Sequence, residues 1–193
     1  MIIFSKTTDG PSEFPVTLSE VKVKMKVTGD DEDAVITGLI KTATKMCESD
    51  SGLSFTTQDR TITLDRFPCG TIILPYGPVS AVKTFTYIDA NGQSQSLIED
   101  THYILDKHNN PARAWPVDSW PTTKQRLNAV TIVYTAGFGD ASSVPQGIKD
   151  AIMSLVATMY EHRQEEESGV LTQITWGAQR MLDPHRVEWY AKV

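Results

Sequence analysis

The densest set of carboxylates in the chain is Asp30, Asp31, Glu32 and Asp33, in the stretch "TGDDEDAVITGLIKTA" of residues 28–43. Adjacent acids can hold a divalent cation or work as a general acid and base. A cation site, however, needs partner ligands at fixed offsets, as in a DxDxDG loop closed by a glutamate at its twelfth position. No such pattern is present. The acids instead precede an apolar series, Ile36, Leu39, Ile40, Ala43, Met46 and Cys47, spaced as one face of a helix. They therefore read as a helix start, with Asp30 or Asp31 as N-cap and the rest in the first turn. There a carboxylate meets free N–H groups and the positive end of the dipole, worth about 0.3–1 kcal/mol each.

The other reactive side chains form no constellation. Cys47 and Cys69 lie on different segments, without a CxxC or Cys/His neighbour at metal spacing. His102, His108, His162 and His185 are scattered over a strand, a loop, a helix end and the tail. Asp65, Asp89 and Asp106 fall at strand ends or turns, where Asp is a turn former. No GxSxG, HExxH or GxxxxGK[ST] motif is present, and the "GFG" of residues 137–139 lacks the rest of a nucleotide fingerprint. The expectation is no catalytic residue, no metal and no cofactor.

Aromatic and charged clusters point to binding instead. "NNPARAWPVDSWPTT" reads as a loop with two Trp-Pro pairs, at Trp115 and Trp120. Those rings can cap an open sheet end, meet a partner protein, or stack on a sugar or base. Glu165, Glu166 and Glu167 end a long helix where its dipole prefers cations. They suit a solvated loop, a basic partner, or the lining of a passage. The tail, "GVLTQITWGAQRMLDPHRVEWYAKV", carries Trp176, Met181, Leu182, Trp189 and Tyr190 on a short segment broken by glycine and proline. Such a segment either docks on a partner or packs on its own helices.

These groups need elements to position them. The chain has 193 residues, with 40% hydrophobic and 22% charged residues, an ordinary soluble composition with enough length for a real core. No apolar run reaches the roughly 18 residues that cross a bilayer, so no membrane partner is expected. The start lacks a basic region followed by a long apolar one, so no signal peptide is read. The net charge of −6 is uneven: residues 56–135 hold seven acids and seven bases. No broad basic stripe grips a duplex.

Three architectures succeed one another. Residues 1–55 read as a helical part: Thr17 and Glu20 form a capping box, Leu18, Val21 and Met25 share a face, "VTG" ends that helix at Gly29, and the second helix stops at Gly52. Residues 56–136 switch to a period of two in six short strands, with an Asn-Gly hairpin in "DANGQ". Residues 137–168 return to helix, with Ser142 or Ser143 as N-cap, Pro145 in the first turn, and Ile148, Ala151, Ile152, Leu155, Val156 and Met159 on the apolar face. Residues 169–193 are an arm. The fold class expected is α+β: a small helical bundle of two N-terminal helices, one long helix and a C-terminal arm, with an inserted antiparallel β-sheet or small barrel.

In this order, "VTLSEVKVKMKVTGDDEDAVITGLIKTA", "LDRFP", "LPYGPVSAV", "YIDANG", "SWP", "NAVTIVYTAGFGD" and "VPQGIKDAIMSLVATMYEHR" make the chain resemble a known family. It is similar to the head–tail connector (adaptor or head-completion) proteins of long-tailed bacteriophages and prophages, over nearly its whole length. The resemblance implies a structural virion protein, made in the host cytoplasm and located in the neck. It implies a homo-oligomeric, dodecameric ring below the portal protein that extends the DNA channel and receives a stopper or tail neck protein. Double-stranded DNA would pass through without specific binding, and no cofactor or reaction is implied. By the same resemblance the portal-docking candidates are Trp176, Arg180, Met181, Leu182, Arg186, Trp189 and Tyr190. Glu165, Glu166 and Glu167 are candidates for the channel lining, and Trp115 and Trp120 for contact with a neighbouring subunit or partner. The minimal all-helical members lack the β insertion, so its role stays open. Two alternatives remain: a stopper or tail-completion protein of the same neck, and a glycan-binding module using Trp115 and Trp120.

Overall fold

Alternating burial marks the strands. In the computed structural model, which describes residues 4–161 and 176–187, Gln58–Leu64 and Val130–Ala136 each bury every second side chain. One face of such a strand packs on a core while the other meets water. The chain divides into two compact units, one of residues 1–12 and 57–138, the other of residues 13–56 and 139–193.

Among its described residues the β unit holds eight strands: β1 (Phe4–Asp9), β2 (Gln58–Leu64), β3 (Ile72–Leu74), β4 (Val79–Ile88), β5 (Ser94–Ser96), β6 (Tyr103–Asp106), β7 (Ala112–Pro116) and β8 (Val130–Ala136). They form two antiparallel sheets, a five-stranded one in the order β1-β2-β8-β4-β5 and a three-stranded one in the order β3-β7-β6. At the centre of the large sheet Ile62 faces Ile132, and Ile132 faces Phe85. Both sheets contribute to one core, with Ile62, Leu64, Phe85 and Ile132 from the large sheet and Ile72, Leu74, Tyr103 and Leu105 from the small one. Phe85 touches Tyr103 with ring centroids 4.9 Å apart. Arg60 is buried, with its guanidinium 3.9 Å from the Tyr76 ring centre, a cation–π contact. In the hairpin between β4 and β5, Asp89 accepts from the N–H groups of Asn91 and Gln93, and the left-handed residue is Gly92, at φ 87°. That is a three-residue loop closed by glycine rather than the two-residue turn an Asn-Gly pair also forms.

Among its described residues the helical unit holds α1 (Leu18–Met25), α2 (Asp33–Ser51), α3 (Gln146–Glu161) and α4 (Trp176–Leu182), with 3-10 turns at Ala141–Ser143 and Asp183–His185. α1 packs on α2 and α3, α2 on α3, and α3 on α4. The expected faces are the buried ones: Ile36, Ile40, Ala43 and Cys47 on α2, and Ile148, Ala151, Ile152, Leu155 and Val156 on α3. The Thr17–Glu20 capping box is formed in full, and Gly52 ends α2 in the left-handed conformation at φ 70°.

The fold is α+β, as expected, with several local corrections. Residues 4–9 are not part of the helical portion; they add an edge strand to the large sheet, pairing Phe4 with Thr63 and Ser5 with Ile62. Residues 112–116 are not loop but the central strand of the small sheet. α1 ends at Lys26, which takes the left-handed conformation itself, before Gly29 is reached. Asp140, not Ser142 or Ser143, caps the turn that leads to α3, accepting from the Ser143 N–H.

Candidate interaction surfaces

The acids at residues 30–33 do mark the start of α2, with Asp33 in its first turn, and Asp30, Glu32 and Asp33 also bond to other helices. Glu32 stands at the N-cap of α2 but makes no side-chain cap bond there; its carboxylate takes the hydroxyl hydrogen of Tyr160 on α3. Asp30 and Asp33 both accept from Lys22 Nζ on α1, at 2.9 and 2.6 Å. The Lys22 ammonium is consequently held above its usual pKa, first by Asp33 and then by Asp30. These carboxylates tie three helices together, where the sequence expectation had Asp30 or Asp31 as a cap. Among the described residues no group of three or more His, Cys, Asp or Glu side chains is placed to hold a metal.

Trp120 and Trp115 part company. Trp120 leaves its loop to stack on Phe67, at 5.0 Å and nearly parallel, and leans on Phe85 at 5.6 Å. Its indole N–H donates to the Gly70 carbonyl at 2.6 Å. This is the sheet-capping role. Trp115 sits on β7, where alternation turns it outward from the core; it faces Ile104 of β6 across the ladder and is 55% exposed. Both rings line an open groove of about 830 Å³ that also takes in Asp65, Arg66, Asp118, Lys124 and Arg126. Of its two acids, Asp65 is committed to the Asn128 N–H at 2.9 Å. Sequence reasoning missed Phe67 and Gly70, because a lone Phe in a turn cluster carries no periodic signal.

The described part of the C-terminal arm, residues 176–187, includes both anchored and displayed side chains. Leu182 is fully buried, and Arg186 pairs with the Asp50 carboxylate and donates to the Asp50 carbonyl at 3.2 Å. The Val187 N–H reaches the Ser51 carbonyl at 3.0 Å. These contacts fasten residues 182–187 to the end of α2, so Leu182 and Arg186 hold the segment on its own unit. Trp176, 73% exposed, and Met181, 40% exposed, face outward with Arg180, whose guanidinium lies 5.1 Å from the Trp176 ring centre. The remaining docking candidates, Trp189 and Tyr190, and the acidic run Glu165, Glu166 and Glu167 lie outside the described residues.

Of the two thiols, Cys47 is buried in α2 and pushed up to about 12, chiefly by burial and then by Asp50 and Glu48; Cys69 is exposed at the groove. A thiol held protonated is no nucleophile.

Solved structures share this fold. A chain of the virion of a native gene transfer agent particle matches with a TM-score of 0.77 at 19% identity, covering 95% of each chain. A chain of the neck of an empty particle of that kind, computed with C6 symmetry, gives 0.77 at 20% identity over 97% of this chain and 96% of the other. A chain of the neck of the native particle, computed with C12 symmetry, gives 0.73 at 19% identity over the same shares. No curated protein matches. The family model of the head completion protein matches residues 16–175, across both units, and the chain belongs to that family.

Proposed function

We propose that this chain is a head–tail connector subunit of a virion neck, forming a ring below the portal protein that extends the DNA channel and receives the next neck or tail component. One observation carries the reading: the fold is shared over nearly its full length with neck chains of a particle resolved under six- and twelve-fold symmetry. Family membership supports the same structural role. A closed ring needs a heterologous contact, in which two different surfaces of one chain meet. Many weak contacts to a portal then add up, because each bound copy raises the effective concentration of the next.

In this reading the outward half of the arm, Trp176, Arg180 and Met181, meets the portal, while Leu182 and Arg186 fix the base from which it reaches. Trp, Met and Arg are the residue types that anchor interfaces. The Glu165–Glu167 run would suit a passage for DNA, since negative charge repels the duplex within a Debye length of about 8 Å. No reaction is required of such a protein. Trp120 is spent on Phe67 and Phe85, which argues against a sugar-stacking pair with Trp115.

Co-sedimentation with portal rings tests the reading. Wild-type chain should pellet with the rings at micromolar concentration, and Trp176→Ala/Met181→Ala should weaken that binding by tenfold or more, about 1.4 kcal/mol. Absence of wild-type co-sedimentation overturns it, and binding only to a preformed adaptor ring identifies a stopper instead.

A further inference from the structure

The chain's charge is segregated by unit. Residues 1–12 and 57–138 contain eight acids and eight bases, whereas residues 13–56 and 139–193 contain 16 acids and 10 bases and so carry the whole net charge of −6. Within the neutral unit the charges are again unevenly placed. Arg66, Lys124 and Arg126 are all exposed at the groove beside Trp115, a groove whose lining also includes Asp65 and Asp118, so these five side chains carry one net positive charge. Trp115 also belongs to an apolar group beside the groove: it and its ladder partner Ile104 are 55% and 53% exposed, and Val117, two residues on, is 46% exposed. Large apolar side chains grouped on a surface mark a partner site.

We infer that this basic, Trp115-centred face of the β unit is where the acidic helical unit of a second copy docks; the inference rests on the connector reading above. An aromatic anchor with flanking arginines is the composition of an interface centre. The net charge of −6 on the helical unit, set against the bases at the groove, selects the partner and steers its approach. The two faces lie on different units, so the contact is head-to-tail, the kind that propagates around a ring. DNA, the other polyanion at hand, fits less well. Duplex binding draws on phosphate contacts and counterion release, leaving Trp115, Ile104 and Val117 unused and Asp118 repelled.

Carbodiimide coupling, which joins a lysine amine to a carboxylate in direct contact, tests it on an equal mixture of isotope-labelled and unlabelled chains recovered with portal rings. Lys124 should appear in mixed-isotope crosslinks to acids of residues 13–56 or 139–193. R66E/R126E should weaken association between copies by roughly tenfold or more, with added salt acting in the same direction on the wild type. W115A should weaken association without introducing any charge. Both variants alter exposed side chains, and unchanged melting confirms that they fold. Lys124 crosslinks confined to one copy overturn this contact, as does wild-type association by the charge-reversed chain. So does a charge reversal that removes duplex binding and leaves self-association intact. In each case the connector reading stands as long as the wild-type chain still sediments with the portal; failure of that sedimentation is the failure of the connector reading itself.

Discussion

The β unit joins its layers with rings; the helical unit joins its elements with ions and caps as well as apolar faces. Phe67, Phe85, Tyr103 and Trp120 make a continuous set of ring contacts between 4.9 and 6.1 Å. In the helical unit the corresponding joints are Lys22 with Asp30 and Asp33, Tyr160 with Glu32, and Arg186 with Asp50. The difference comes from geometry. Two sheets meet over broad, flat faces that large rings fill. Helices meet along narrow stripes and leave polar flanks within reach of each other. Burial of rings is insensitive to salt, whereas exposed ion pairs are screened. The two units should therefore respond differently to the same perturbations.

The largest effect should come from the rings. Phe85 is 2% exposed and touches Phe67, Tyr103 and Trp120, so Phe85→Ala should cost about 3–5 kcal/mol in urea-induced unfolding of the β unit. A cost below about 1 kcal/mol would break the comparison. Next comes the tie between α2 and the arm. Arg186→Ala should cost about 1 kcal/mol, modest because both partners keep a quarter to a third of their side chains in water. Its signature is local: the Val187 N–H, bonded to the Ser51 carbonyl, should exchange with solvent faster while the β8 amides are unchanged.

Thr17→Ala removes the capping box of α1 and should cost about 1 kcal/mol, largely restored by Thr17→Ser; equal stability of Ala and Ser variants in thermal melts would remove the cap from the account. The smallest effects are in pH. Asp106 is pushed down from 3.8 to about 2, mainly by Arg113 and then by Asn109. A carboxylate lowered on folding stabilises above its unfolded pKa, and that contribution fades as pH falls from about 4 toward about 2. Asp106→Asn should flatten that part of the acid limb of β-unit stability. Lys22 is raised on folding, so its contribution is full below 10.5 and is lost as pH rises past that value. Lys22→Met should flatten the alkaline limb of the helical unit alone. Identical limbs in both variants would show that the ion ties contribute nothing.

The strands and helices with clean periodicity were legible in advance, down to the capping box at Thr17 and the glycine stop at Gly52. What escaped had weak signals for physical reasons. β1, "FSKTTD", is an edge strand made largely of polar residues, so alternation of hydrophobicity does not mark it. β7 buries only Ala112, Ala114 and Pro116, and two alanines between turn-forming residues resemble a loop. The two Trp-Pro pairs are identical as dipeptides and opposite in use, one ring on the sheet surface and one stacked on Phe67.

The amino-acid order by itself determined the amphipathic faces and the helix stops, because each is written in neighbours no more than a few turns apart, and the family resemblance, which lies in the order of the parts along the chain. Only tertiary structure decided what Asp30, Glu32 and Asp33 hold, which of Trp115 and Trp120 stays exposed, and that residues 182–187 are anchored to the end of α2. Those outcomes depend on partners far along the chain, Tyr160 for Glu32, Phe67 for Trp120 and Asp50 for Arg186, and local spacing carries no record of them.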